Sequence, residues 1–313
     1  MANKYDFVIL GAGGTGLAAA MYGARLGLKT LVLGTTSGSE LPIGGVITTT
    51  NYVENYPGFK KILGFQLAKN LEEHARAYDL VTIKNEKATK IKKSKKIFLV
   101  KTEKSEYEAK TILFATGTKW RKLEVPGSLE YENKGVNYCA LCDAPLFKDK
   151  IVAVVGGSDS AGKDTLILAE HAKKVYIIYR GGQIHPEPIT LKEIEKNKNI
   201  EIINNTNVVE AKGDKLLSSV ILDKNYKNSK ELELSGLFIA IGHLVLSDLA
   251  KPLGVKLTEK NEIMIDHKTS ETNIPGIYAA GDVTDKQFKQ LITGVADGCT
   301  AAYSAFKYIS ANK

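Results

Sequence analysis

Cys139-Ala140-Leu141-Cys142, followed at once by Asp143, is the stretch whose residue types and spacing most plainly permit chemistry. Two cysteines separated by two residues can close a small disulfide ring. A thiolate in such a ring has a lowered pKa, so the pair can take up and pass on two electrons. The same spacing matches half of a zinc site, which needs a second pair of soft ligands. The third and last cysteine, Cys299, stands alone among Ala296, Gly298, Ala301 and Ala302 and reads as a packed core thiol. No metal site is expected. For an isolated CxxC the alternative is a buried pair of small hydrophobic residues, and the surrounding sequence decides between the two.

A chain of 313 residues with 43% hydrophobic and 25% charged content is that of a globular protein with one large or two medium domains. No apolar run is long enough to cross a bilayer, and residues 1 to 30 lack a basic start followed by a cleavable apolar segment. A cytoplasmic protein with no membrane partner is expected. Three cysteines make no disulfide framework, so a working dithiol in a reducing compartment fits better than a structural staple. The net charge of +8 is unevenly placed. Residues 1–117 carry 17 Lys+Arg against 10 Asp+Glu, residues 118–245 carry 18 against 17, and residues 246–313 carry 8 against 8. Much of the excess lies between Lys84 and Lys104, including Lys90, Lys92, Lys93, Lys95 and Lys96. These lysines read first as the solvated guard of a sheet edge, and second as a docking face for an acidic partner. Aromatic residues are not interleaved with them, so no nucleic-acid partner is expected.

The elements that position the cysteines begin with a strand, Tyr5 to Leu10, running into Gly11-Ala12-Gly13-Gly14-Thr15-Gly16 and a small-residue helix over Leu17 to Leu28. That order suits a dinucleotide pyrophosphate. Gly11 permits the tight turn, Gly13 lets backbone approach phosphate, Gly16 lets helix and strand pack closely, and the helix start faces the anion. Thr30 to Leu33 is the next strand, and Gly34 stands where a ribose-binding acid is often found, which leaves open which dinucleotide binds. Gly44 to Thr50 and Val53 to Gly58 form a loop rich in glycine and threonine. Helical periodicity runs from Gly64 to Tyr78, and strands are expected at 97–102, 106–109 and 111–115, closing on Ala115-Thr116-Gly117. Past the cysteines the design repeats: a strand at Ile151 to Val155, a turn Gly156-Gly157-Ser158, a helix through about Ala172 and a strand from Val175 to Tyr179. Ile200 to Ile241 reads as strands with polar turns. Ile274 to Asp282 reads as a strand ending in a carboxylate, followed by a helix containing Lys289, Gln290, Leu291 and Cys299.

Taken together, these residues resemble the low-molecular-weight thioredoxin reductases over nearly the whole chain. The first glycine turn, the Gly44 to Gly58 loop, Ala115-Thr116-Gly117, Cys139 to Asp143, and Tyr278 to Asp282 with Lys289-Gln290-Leu291 all fall in family order and spacing. The resemblance implies an α/β fold of two Rossmann-like, three-layer nucleotide-binding domains, the second inserted into the first. An FAD-binding domain would comprise residues 1–117 and 246–313, and a module of the NAD(P)H-binding type, residues 118–245, would carry the CxxC. It also implies a homodimer. Gly11, Gly13, Gly14, Thr15 and Gly16 would hold the FAD pyrophosphate, and Gly45, Val46, Asn55, Thr116 and Gly117 would lie along the cofactor. Gly281 and Asp282 would bind the ribityl chain, with Lys289, Gln290 and Leu291 beside the isoalloxazine. Cys142 would face the flavin, Cys139 would attack the disulfide of thioredoxin, and Asp143 would manage protons on the leaving thiolate. One CxxC cannot touch flavin and an outside protein together, so the two domains are expected to swing between two arrangements.

Departures from the family concentrate where NADPH should bind. Ser158 replaces the middle glycine of the second turn, and Lys163-Asp164 stands for an acidic pair. Tyr179-Arg180-Gly181-Gly182, with His185 beyond, replaces a His-Arg-Arg stretch that supplies bidentate contacts to the 2'-phosphate. Three changes on one ligand argue against NADPH as the electron donor. Members of the wider family that keep FAD and CxxC while taking electrons from ferredoxin supply the leading alternative, since ferredoxins are acidic and the first domain is rich in lysine. NADH as donor is the next, and a flavin-dependent dithiol oxidase or a redox sensor would share the same motifs.

Overall fold

The strand Asn3–Leu10 buries Phe7, Val8, Ile9 and Leu10 in succession because helices and strands cover both faces of a parallel sheet at this point. The computed structural model describes residues 3–34, 42–50 and 52–312. Asn3–Leu10 pairs in parallel with Thr30–Gly34 on one side and Glu106–Phe114 on the other. Val81–Asn85 extends the sheet beyond Thr30–Gly34, and Ile277–Ala279 adds a further parallel strand against Glu106–Phe114. Ile97–Thr102 and Ala88–Ser94 complete it as an antiparallel edge. The helix Gly14–Arg25 returns across this sheet against the last helix, Leu291–Ala311.

A second sheet is wholly parallel, in the order Val136–Asn137, Gly236–Ile239, Ile151–Val155, Lys174–Ile178, Ile200–Ile203. Beside it Val208–Gly213, Leu217–Tyr226 and Ser229–Glu233 form a separate antiparallel sheet. The chain divides into two units, Met1–Lys119 with Val245–Lys313, and Trp120–Leu244. It therefore passes between them twice, within the short strands Thr118–Trp120 and His243–Val245. The fold is α/β, with one Rossmann-like sheet in each unit. No helix among the described residues is long and apolar enough to cross a membrane.

Several elements differ from their sequence-based bounds for physical reasons. The first helix spans Gly14–Arg25 rather than 17–28, since the turn glycines already take helical geometry and Gly27, at φ +79°, ends the helix in the left-handed region. The two segments expected at 106–109 and 111–115 are one strand, Glu106–Phe114. Lys110 interrupts the apolar pattern without interrupting the strand, because its ammonium reaches Asp6 at 2.8 Å. The expected strand over Ile274 to Asp282 shrinks to Ile277–Ala279, and Gly281–Val283 forms a single 3₁₀ turn. Lys289 and Gln290 precede the last helix instead of lying within it, since Gln290 is its N-cap and forms a reciprocal capping box with Thr293.

Candidate active site

Cys139 and Cys142 are joined in a disulfide, with Cα atoms 5.3 Å apart. The pair sits at the start of a one-turn helix, Ala140–Asp143, whose N-cap is Cys139; its Sγ accepts the Cys142 backbone N–H at 3.2 Å. Ala140 and Ala144 are buried and pin the turn to the apolar cluster of Val152, Val154, Ala161, Leu168 and Phe238. Cys142 is thereby left exposed and Cys139 half-buried. Asp143 is half-buried beside them, and burial pushes its carboxyl above the ordinary aspartate range. A disulfide, an exposed sulfur and a carboxyl that keeps its proton to higher pH together permit thiol–disulfide exchange with acid assistance. Among the described residues no three histidine, cysteine or acidic side chains gather as a metal site.

In the other unit the first glycine turn has two distinct surfaces. On its inner side, a Cβ at Gly11 (φ +112°) would fall 2.2 Å from the Ala115 carbonyl oxygen, and one at Gly16 would fall 2.0 Å from that of Gly11. The turn must therefore be glycine to close. On its outer side, a Cβ at Gly13 would meet nothing nearer than backbone of Gly44 and Gly45 at 3.9 Å. The helix Gly14–Arg25 that follows has no acidic residue in its first turn and no side-chain cap. Its uncapped N–H groups and the open glycine ledge fit the pyrophosphate of FAD.

The remaining residues assigned by resemblance to the cofactor fall in this same unit. Gly44 N donates to Ala12 O at 2.8 Å, which lays the Gly45–Thr49 turn, with Val46, against the glycine turn. Asn55 Nδ2 donates to Gln290 Oε1 at 3.0 Å, joining two segments 235 residues apart. Lys289 Nζ pairs with Glu262 and donates to the Asp282 carbonyl. Leu291 packs on Gly14, where a Cβ would meet its Cδ1 at 2.4 Å. Thr116 Oγ1 donates to Leu246 O at 2.6 Å and Gly117 takes φ +62°. Thr15 has a packing part as well: its Oγ1 lies where a Cβ on Gly281 or Gly294 would come within 2.6 and 2.5 Å. Gly34 is explained likewise, since any Cβ there would come 2.3 Å from that of Ala12. Cys299 is half-buried in the last helix, and burial pushes its thiol up to about 11, the behaviour of an inert packed thiol.

The second glycine turn keeps its fold with a different surface. Gly156 (φ +149°) is required, because a Cβ would fall 2.2 Å from Ala240 O. Ser158 then stands at the N-cap position of the helix Asp159–Ala169, without a side-chain cap bond, where Gly13 stands in the first turn. The Tyr179 ring lies over Gly157 and Gly181, within 2.5 and 2.6 Å of a Cβ placed on either. On this rim Lys163 is engaged with Asp159 at 2.6 Å, and exposed Arg180 has no ion pair among the described residues. Asp164, noticed in the sequence only as part of a replaced acidic pair, is half-buried without a hydrogen bond or ion pair among the described residues. Burial pushes its carboxyl up to about 7.

This arrangement is shared with known proteins. A family model described as pyridine nucleotide-disulphide oxidoreductase matches residues 5–298. A thioredoxin reductase of Peptoclostridium acidaminophilum is 36% identical over 320 residues, spanning 100% of this chain and 99% of the relative. The crystal structure of T. acidophilum thioredoxin reductase is 37% identical, with a TM-score of 0.90 and coverage of 99% of this chain and 100% of that one. A ferredoxin-flavin thioredoxin reductase from Clostridium acetobutylicum, 31% identical, covers 99% of this chain and 100% of its own with a TM-score of 0.52. With the redox disulfide, the FAD-shaped glycine turn and these likenesses in hand, the chain belongs to the pyridine nucleotide-disulphide oxidoreductase family, among its low-molecular-weight thioredoxin reductases, and is an FAD-dependent disulfide oxidoreductase.

Proposed function

We propose that this protein reduces thioredoxin, carrying two electrons through the Cys139–Cys142 pair. The observation that carries the reading is the disulfide itself, closed between an exposed and a half-buried sulfur with a high-pKa carboxyl one residue beyond. Residues Met1–Lys119 with Val245–Lys313 serve as the FAD-binding unit, and Trp120–Leu244 carries the redox pair. FAD held there supplies a two-electron store that can be filled one electron at a time. Reduction breaks the Cys139–Cys142 bond with two electrons and two protons. The Cys139 thiolate then attacks thioredoxin's disulfide, Asp143 supplies the proton for the leaving sulfur, and Cys142 closes the ring again to release the partner as a dithiol.

The pKa of Asp143 gives the reading a pH signature. Its raised value keeps the acid protonated to higher pH than an ordinary aspartate, so turnover declines as pH rises through that value. Asp143→Asn is expected to remove this limb and lower kcat about 10²-fold, with KM for thioredoxin unchanged. An unaltered pH profile in the variant would assign the proton to another group.

For the donor, the reading is reduced ferredoxin in place of a pyridine nucleotide. Supporting it are Ser158 on the second turn, the lone Arg180, and the lysine face. The nine lysines from Lys84 to Lys104 have no ion pair among the described residues. Lys90 even stands directly opposite Lys101 across the edge pair, a placement that costs stability unless opposite charge arrives from outside. Anaerobic mixing of the flavin-loaded protein with NADPH, NADH and reduced ferredoxin in turn tests this. Bleaching by ferredoxin alone is expected, at a rate that falls steeply with added salt. Rapid bleaching at micromolar NADPH or NADH would transfer the donor role to that nucleotide.

A further inference from the structure

Asp164 is a carboxyl that the reaction above leaves unused. It lies on the helix Asp159–Ala169 one turn after Ala161 and one turn before Leu168, so the three share a face. Ala161 and Leu168 are buried in one cluster with Ala140 and Ala144 of the cysteine turn. The face that presents Asp164 is thus the face on which the redox turn rests. We propose that Asp164 is a second proton-holding residue for the Cys139–Cys142 pair, taking up a proton when the disulfide opens and giving it back when the ring closes. The proposal rests on reading that pair as a working redox couple.

The balance is simple. Opening the bond with two electrons makes two thiolates, and two protons must follow. Where one sulfur remains a thiolate, the second proton resides on Asp164, which like-charge repulsion from the new thiolate makes more basic. The value of about 7 that burial gives this carboxyl in the disulfide form places it where such repulsion acts near neutrality.

Few other groups compete for this role. The helix also packs on Ile151–Val155 and the Ala144–Phe147 turn, which have no ionisable side chain, and on Lys174–Ile178 and Pro188–Lys196. Lys174 is engaged with Glu201, and the Tyr176 ring meets that of Tyr226. On Pro188–Lys196 the buried residues are Thr190 and Ile194, while Lys192, Glu193, Glu195 and Lys196 are exposed. On its own helix, Asp159 and Lys163 are bonded to each other. Glu187, just before Pro188–Lys196, is held by Lys163 at 3.6 Å, and the ionisable groups left on the packed elements are Cys139, Cys142 and Asp143 of the redox turn.

The test equilibrates the flavin-loaded protein in dithiothreitol redox buffers from pH 6 to 8 and counts free Cys139 and Cys142 by alkylation and mass. Thioredoxin and donor take no part. Dithiothreitol gives up two protons of its own, and a protein that keeps one thiolate takes up only one on sulfur, so its equilibrium constant rises with pH and proton uptake by Asp164 offsets part of that rise. A shift of one pKa unit in Asp164 between redox states offsets about tenfold across the titration. Asp164→Asn is expected to lose this offset and rise more steeply, and Asp164→Glu to keep it. If Asp164→Asn follows the wild-type curve, or Asp164→Glu loses the offset while folded, the assignment to Asp164 is wrong. If the cysteines never open in the buffer, the reading of the pair as a redox couple fails instead.

Discussion

Cys142→Ser is expected to abolish thioredoxin reduction, by at least about 10³-fold, while the protein purifies yellow with FAD bound. The residues assigned to the cofactor by resemblance belong to one unit and the cysteine to the other, so retention of flavin is the expected outcome. Serine is nearly isosteric with cysteine, and position 142 is exposed, so the cost to stability is within about 0.5 kcal/mol. With a single sulfur left, Cys139 can still attack a partner disulfide when reduced. The mixed disulfide then has no resolving thiol and accumulates. Cys139→Ser should fail differently, since the remaining exposed Cys142 has no N–H donor of the kind that Cys142 itself offers to Cys139 Sγ. Mass spectrometry of the stalled reaction decides the order: a trapped adduct on Cys139 in the Cys142 variant supports the assigned roles. Adduct formation only by Cys142 would exchange them, and full turnover by Cys142→Ser would remove the pair from the reaction.

The parts of this molecule that could be read from the chain are those in which sequence spacing acts directly on backbone. Gly11 and Gly16 close a turn that admits no Cβ, and Cys139 and Cys142 sit one helical turn apart, so type and interval alone carried the meaning. Reading weakened where tertiary contacts intervene. Lys110 looked like a break between strands because its pairing with Asp6 is set by a neighbour 104 residues away. Gln290 looked helical because a capping residue and a helical one differ by the fate of a single side-chain bond. The block from Ile200 to Ile241 was legible as strands and illegible as two sheets, since periodicity does not say which ladder a strand joins. Asp164 shows the limit most clearly. Its identity was visible as a departure from a motif, while the burial that raises its pKa belongs to tertiary packing.

Substitutions in the first glycine turn should separate folding from cofactor binding. Gly11→Ala places a Cβ 2.2 Å from the Ala115 carbonyl oxygen at φ +112°, so both the contact and the backbone conformation are unfavourable. Strand and turn must move, and a loss of several kcal/mol in stability is expected, on the order of the largest single-site effects. Gly13→Val meets neither problem. Gly13 has φ −76° and ψ −179°, open to any residue, and its Cβ finds only ordinary contacts at 3.9 Å. The cost to the apoprotein is the poorer N-cap, about 1 kcal/mol. What the valine fills is the ledge on which phosphate must approach backbone, so FAD affinity should fall roughly 100-fold or more, about 2.7 kcal/mol. Gly13→Ser completes the series. Serine is a good N-cap and should leave the apoprotein as stable as the wild type, yet its hydroxymethyl group stands on the same ledge, with an expected loss of about tenfold in affinity. That variant places in the first turn the residue type which Ser158 already brings to the second. Thermal melts of the apoprotein beside FAD titrations by flavin fluorescence check all three. Should Gly13→Val bind FAD as the wild type does, the open glycine ledge is not the pyrophosphate site, and the loss argued for the second turn through Ser158 goes with it.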